Sequence, residues 1–316
     1  MKPGSTLNHQ KHDAPMNIRL DPTATPFNLE HTLKCGQAFR WAKHGDWWYG
    51  VVSGKIIKLR QTPNKLQYET FPKKASINFV SRYFRLDDDL SHIYSKIDKD
   101  RHIHNAIRNL RGLRILRQEP WECLISYICA TYKNIPAIRQ MILHLSKRFG
   151  KQMTLDNHDF YTFPTPKDLA TASLQELKSC KLGFRAANIS RTSQIIDHKK
   201  FDLEALENAS YERAKRQLLS LPGVGQKVAD CVLLFSTGKL EAFPVDVWMK
   251  RTMLKSYPDY FEKTFAEKAS GTTSISPSEY REINSFGRKY FGEYAGYAQE
   301  YLFACSRRRW QTAKHR

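Results

Sequence analysis

The stretch Leu221-Pro222-Gly223-Val224-Gly225-Gln226-Lys227-Val228-Ala229-Asp230 decides how the rest of the chain is read. A proline and two glycines separate one helix-periodic run from another that starts near Gln226, so the stretch reads as helix end, tight turn, helix start. Glycines at 223 and 225 admit positive φ and let a second backbone come close, which leaves the amides of the following helix open to an anion. Lys227 then lies on the first turn of that helix, where a docked phosphate would hold its amine beside a nucleic-acid backbone. A Pro-Gly-x-Gly turn also serves as a plain connector between helices, so the surrounding chain has to decide.

The 316 residues leave room for two or three domains. Fifty-one Lys and Arg against 31 Asp and Glu give a formal charge of +20, which favours polyanionic partners, nucleic acid before an anionic membrane surface. The sequence contains no run of 18 apolar residues and no apolar leader core near its start, so the expectation is a soluble, intracellular protein. Cys35, Cys123, Cys129, Cys180, Cys231 and Cys305 show no metal-ligand spacing and stand mostly in apolar contexts, as reduced core thiols do.

Residues 1 to 16 are polar, include His9, Lys11 and His12, and read as a disordered tail. From Phe27 to about Tyr68 short aromatic or β-branched runs at 39–41, 47–52, 56–61 and 65–70 alternate with Gly45-Asp46, Ser53-Gly54 and Pro63-Asn64 turns, predicting an antiparallel meander. Beyond Ile77 the period becomes helical. Helices are expected at about 76–84, 90–97, 102–110, 120–133, 136–149, 166–180, 186–197, 203–220, 226–236, 246–257, 278–291 and 295–306, with Pro120, Pro136, Pro166 and Pro277 at their starts. The end, 307–316, is a basic run of the kind that is solvated.

Nineteen residues after Lys227, the run Phe243-Pro244-Val245-Asp246-Val247-Trp248 leads to an acid at a helix start. Alone it is a helix cap. Paired with Lys227 it has chemistry: an amine must be neutral to attack, and a carboxylate that accepts a proton or stabilises a cationic sugar is the partner it needs. Such a pair suits displacement of a base from deoxyribose, through a Schiff base that then permits β-elimination of the strand.

LPGVGQKVAD followed by PVDV resembles the helix-hairpin-helix DNA glycosylases. CGQAFRW at 35–41, LRQEPWECLISYICA at 116–130, KLGFRA at 181–186 and GYAQEYLF at 296–303 follow in the order of the 8-oxoguanine DNA glycosylase branch, so the resemblance runs from about 27 to 306. It implies an α+β fold, a small antiparallel β-sheet N-terminal domain packed on a mostly α-helical helix-hairpin-helix glycosylase core. The expected division is a tail at 1–16, the sheet domain at 17–113, the helical core at 114–306 with the hairpin at about 215–236, and a basic tail at 307–316.

By the same resemblance Lys227 matches the catalytic lysine and Asp246 the catalytic aspartate. Gly36 matches the glycine whose carbonyl accepts the hydrogen on N7 of 8-oxoguanine, which guanine lacks. Phe303 matches the aromatic that stacks on the extruded base, Cys231 the thiol on its other face, and Gln299 the amide that reads its Watson–Crick edge. Gly223, Gly225 and Val228 match hairpin positions that hold DNA. Phe184 matches a wedge in the stack, and Arg185 an arginine on the orphaned base opposite.

Two departures stand out. Tyr132, close to Asn134 at the same DNA-facing loop, replaces an asparagine that in animal and fungal members reaches the opposite cytosine, and their second cytosine-reading arginine falls at Ala137. Trp248 replaces a histidine that contacts the DNA backbone. The resemblance implies a bifunctional DNA glycosylase and AP lyase acting on duplex DNA with damaged bases, with no metal and no organic cofactor. A monomer in the cytoplasm of a prokaryote or the nucleus of a eukaryote is the default. The competing readings are a glycosylase for an oxidised pyrimidine or alkylpurine, and a non-catalytic hairpin module that only grips phosphates.

Overall fold

The computed structural model describes residues 14–23 and 25–314, with side chains as far as Arg308. His9, Lys11 and His12 lie outside the described residues. Five strands form one antiparallel sheet in the order β1-β5-β4-β3-β2: β1 (Met16–Arg19), β2 (Trp41–His44), β3 (Trp47–Val52), β4 (Lys55–Thr62) and β5 (Lys65–Phe71). The four later strands follow the expected meander. β1 is a correction, because Met16 is not part of a tail but pairs with Tyr68, and Arg19 with Lys65. With Ile18 as its single fully inward side chain, this edge strand is too short for alternation to show.

One face of the sheet, with Ile57, Leu59, Leu66 and Tyr68, packs on Val80, Phe84 and Leu116 of the helical part. The other face is covered by a hairpin that the sequence reading missed, β6 (Gln152–Leu155) and β7 (His158–Tyr161). Tyr49 stacks on Phe160 at 5.8 Å between ring centroids, and its hydroxyl donates to Asp156 at 2.7 Å. Burial on both faces explains why β3 is apolar almost throughout. Asp156 and Asn157 both have positive φ, 51° and 60°, as the two-residue turn that joins such strands requires.

The helices carry the larger core, continuous from Leu90 to Cys305. Side-chain caps fix most of their starts, among them Asn134 on Ile135–Phe149 and Asp246 on Val247–Ser256. Three expected helices are shorter. The segment 120–133 ends at Cys129, since Tyr132 takes φ +54°. The segment 166–180 divides into Pro166–Thr171 and Leu174–Ser179, each with its own capping box, and 203–220 into Ala205–Asn208 and Tyr211–Leu219. Leu29–Lys34 and Lys263–Ser270 were not expected, and the last helix runs from Ala295 to Lys314, well into the supposed tail.

Arg114, fully buried, ties the two parts together. Its guanidinium donates to the carbonyls of Pro26, Arg85 and Asp88. A buried guanidinium needs carbonyl partners for its donors, and here they come from two separate segments, one at Pro26 and one at 85–88.

Candidate active site and DNA-facing surface

Tyr211–Leu219, the turn 221–225 and Gln226–Phe235 form the hairpin that opened the sequence reading. Gly223 has φ +81°, and a Cβ there would stand 2.9 Å from Asn188 Cβ, so its glycine is required by the fold itself. Gly225 differs from the expectation. Its φ of −98° and ψ of −177° are extended, open to any residue, and an added Cβ would meet nothing within 4 Å. The Thr192 hydroxyl fastens the turn by donating to the Pro222 carbonyl at 2.9 Å.

No side chain caps the helix Gln226–Phe235. Its first amides, those of Gln226, Lys227 and Val228, therefore lack the partners that a capping residue supplies, and they carry the positive end of the helix dipole. Val228 turns its side chain into the core, leaving only its backbone for a ligand.

Asp230, one turn further on, is the deepest charged group of the hairpin. Its carboxylate accepts from Tyr211 at 2.6 Å, Lys215 at 2.8 Å, Asn284 at 3.0 Å and the Tyr280 hydroxyl. Four donors from the first hairpin helix and from Pro277–Phe291 thereby lock the second hairpin helix in rotation. The sequence reading assigned Asp230 no role.

Lys227 Nζ lies 5.0 Å from the centroid of the Tyr127 ring. The Tyr127 hydroxyl donates to the Gln37 carbonyl at 3.1 Å, so one aromatic residue connects the lysine to the segment that begins CGQ. Asp246 uses one oxygen to accept from the Met249 amide at 2.8 Å. Burial pushes its carboxyl up from the ordinary aspartate value, against the pull of that amide and of the Lys227 charge. Asp246 is thus both the expected helix cap and a carboxylate within electrostatic reach of Lys227. Cys231 is buried on the lysine's own helix, its thiol pushed up to about 12 by desolvation, and so neutral.

The last helix supplies the far wall. Gln299 is buried and its Oε1 has no hydrogen-bond partner among the described residues, which a core position would not tolerate without cost and a ligand's donor would relieve. Gln299 therefore does not lie on a solvated helix face. Phe303, partly exposed, comes within 3.6 Å of where a Cβ on Gly36 would stand. Gly36 has φ +114°. Its neighbour Gln37 is stapled in place, donating to the carbonyls of Thr32 at 3.0 Å and Arg114 at 2.8 Å and accepting from the Leu116 amide at 2.8 Å.

Glu300 is buried against Cys35, with one carboxyl oxygen unpartnered among the described residues, and burial pushes it up to about 7. The Cys35 thiol donates to the Thr32 carbonyl and accepts from Gln37, and its proximity, with the Arg307 charge, pulls Glu300 the other way, less strongly than burial pushes it. Neither Tyr127, Glu300 nor Arg307 entered the sequence reading as a site residue. The i, i+3, i+7 spacing of Glu300, Phe303 and Arg307 was the available signal.

Two aromatics stand out at the rim. Tyr132 is 87% exposed and Phe184 62%, the most exposed large apolar side chains among the described residues. They are neighbours through Arg185, which donates to the Thr131 carbonyl and lies with its guanidinium carbon 4.3 Å from the Phe184 ring centroid. Arg185 is where the structure departs most from expectation. It is buried and turned onto the carbonyls of Leu182 and Thr131, bracing the rim loop rather than reaching outward. Asn134 is exposed, but its side-chain oxygen is engaged in capping, accepting from the Ala137 amide at 3.0 Å. Trp248, partly exposed, holds Arg251 over its ring at 5.6 Å.

An uncapped hairpin helix carrying a lysine, an aspartate at the next helix start and two exposed aromatics on neighbouring loops are the features of a helix-hairpin-helix base-excision architecture. Residues 125–259 match the family model described as HhH-GPD superfamily base excision DNA repair protein, and residues 19–124 match that of the 8-oxoguanine DNA glycosylase N-terminal domain. The N-glycosylase/DNA lyase OGG1 of Arabidopsis thaliana is 33% identical over 295 residues, 89% of this chain and 78% of that protein. A probable N-glycosylase/DNA lyase of Methanothermobacter thermautotrophicus is 32% identical over 261 residues, 76% of this chain and 78% of its own length. The solved Clostridium acetobutylicum 8-oxoguanine glycosylase/lyase, in complex with double-stranded DNA containing cytosine opposite 8-oxoguanine, superposes with a TM-score of 0.82 at 28% identity, covering 94% of this chain and 99% of that one. The chain belongs to the 8-oxoguanine DNA glycosylase family.

Proposed function

We propose that this chain extrudes 8-oxoguanine from duplex DNA, excises it through Lys227 and then nicks the strand. The observation that carries the reading is Lys227 on an uncapped helix start, within electrostatic reach of the partly desolvated Asp246 and tied through Tyr127 to the Gly36 segment. A phosphate on the open amides of Gln226 to Val228 would hold the strand, while Phe184 and Tyr132 fill the gap left by the extruded base. Gly36, Gln299, Phe303 and Cys231 then form the pocket for that base.

In the first step the Lys227 amine, having shed its proton, forms a bond to the anomeric carbon as the bond to the base breaks. The base leaves with that electron pair and takes up a proton. Asp246, as carboxylate, offsets the positive charge that develops on the sugar. Ring opening gives the lysine imine, loss of the adjacent C2′ proton expels the 3′ phosphate, and hydrolysis of the imine returns the amine. Trp248 is proposed to line the phosphate path beside Asp246. The monomer, the cytoplasmic or nuclear location and the division near residues 113 and 114 belong to the same proposal, the location resting on six free, buried cysteines.

Borohydride trapping on duplexes holding 8-oxoguanine opposite each of the four bases tests the mechanism. Wild type should form a covalent adduct and Lys227→Gln none; an equal adduct from Lys227→Gln would assign the nucleophile elsewhere. With Tyr132 and Ala137 at the rim, preference for cytosine should be weaker than in members that carry the cytosine-reading pair. A strict cytosine requirement would remove that inference, and stronger cleavage of an oxidised-pyrimidine or alkylpurine duplex would move the substrate to another lesion.

A further inference from the structure

Glu300, Phe303 and Arg307 form one stripe on the last helix, and each meets the loop that carries Gly36. Arg307 Nη1 donates to the Cys35 carbonyl at 2.8 Å and Nη2 to the Lys34 carbonyl at 2.7 Å. A guanidinium suits this task because its planar fork can span two successive carbonyls, which a lysine ammonium cannot do in one fixed geometry. The space that glycine leaves at position 36 is therefore not open to a ligand. A Cβ there would stand 2.5 Å from Arg307 Nη1 and 3.1 Å from Ile135 Cδ1. The loop is gripped through its backbone by the far end of the stripe.

We propose that Arg307 is a positioning residue for base discrimination, aiming the Gly36 carbonyl by fixing the two peptides before it. This rests on the reading of Gly36 as the acceptor that distinguishes 8-oxoguanine from guanine. A single carbonyl distinguishes a donor from an acceptor only while its direction is fixed. Lys227 and Asp246 stand on other helices, so a loosened loop should cost discrimination more than it costs the chemistry at the sugar.

Three measurements on Arg307→Met, Arg307→Lys and wild type decide this. In single-turnover excision opposite cytosine, Arg307→Met should lower the ratio of 8-oxoguanine to guanine release by about tenfold, the scale of one misdirected buried hydrogen bond. Cleavage of a duplex holding an abasic site, which has no base to read, should change by less than about twofold, and Arg307→Lys should recover part of the ratio. Amide exchange across 33–38 should quicken about fivefold in Arg307→Met, an effect of the grip alone that holds whatever lesion the enzyme prefers. An unchanged excision ratio, or an equal fall in excision and abasic cleavage, would overturn the positioning role. Should wild type fail to prefer 8-oxoguanine while exchange still quickens, the grip stands, but the reading of Gly36 falls and the discrimination role with it.

Discussion

The hairpin at 221–230 and the pocket around Gly36 are built in opposite ways. The hairpin is local: ten consecutive residues contain its turn, its exposed amides, its lysine and, in Asp230, the carboxylate that fixes its orientation. The pocket is assembled from afar, with Gly36 held by Arg307 across the whole length of the chain and by Tyr127 and Arg114 from between. On the proposed function, such a division would let one element hold DNA and deliver the nucleophile while another chooses the base. It also means that a change in one should leave the other largely intact, and the following substitutions are ways to break that separation.

The largest effect belongs to the hairpin's chemistry. Lys227→Gln should reduce strand cleavage by on the order of 10³-fold or more, about 4 kcal/mol of barrier, with little change in folding because the side chain is only partly buried. Gel-resolved cleavage and a urea unfolding curve check the two halves. Next comes Asp230→Ala, which strands the Lys215 cation and three further donors in a closed core. A loss of about 3–5 kcal/mol in unfolding free energy is expected, the cost of leaving a buried partner uncompensated. A loss below about 1 kcal/mol would mean that Asp230 does not carry the hairpin.

The same contrast explains what could be read from sequence. The hairpin, Lys227 and the Asp246 cap were legible because turn chemistry and capping are written in adjacent residues. The meander was legible by alternation, but β6 and β7 were not, since Asp156-Asn157 is a sparser hairpin signal than Asn-Gly, each strand is only four residues long and β7 does not alternate. Gly36, Gln299 and Phe303, proposed to line the base pocket, were named through resemblance alone. Their own patterns say only glycine turn and helix face. Arg307 was misread as part of a solvated tail because nothing beside it in sequence reveals the two carbonyls it meets. The burial of Arg185 was not legible either, as an exposed basic residue and a buried brace look alike in a helix-start sequence.

A smaller effect, and one with a sign, comes from Glu300. Its folded value of about 7 exceeds the ordinary 4.5, so the native protein keeps a proton through a window in which the unfolded chain has released it. Stability from this group is fully present below about 4.5 and is lost as pH rises through about 7, a difference on the order of 3 kcal/mol. Glu300→Gln keeps the neutral shape and should remove that loss. Its unfolding free energy should match wild type near pH 4 and exceed it at pH 8. Equal pH dependence in the two proteins would show that Glu300 ionises without a desolvation penalty.

The smallest expected change in folding, and the one that best separates connector from grip, is at the hairpin's second glycine. Gly223→Ala should cost about 1–2 kcal/mol, because it forces a side chain into φ +81° and against Asn188. Gly225→Ala should alter stability by less than about 0.5 kcal/mol, since its backbone is extended and its Cβ would point into open space. If the turn were only a connector, nothing would then change at all. As a phosphate grip it must let a DNA backbone approach that open space, so Gly225→Ala should weaken binding to an abasic-site duplex several-fold at fixed salt. The lesion-to-guanine ratio, set by Gly36 and its distant supports, should not move. Fluorescence anisotropy beside the excision ratio checks both. Undiminished binding would return the turn to the role of connector, and a shifted ratio would show that the hairpin and the pocket are not separable after all.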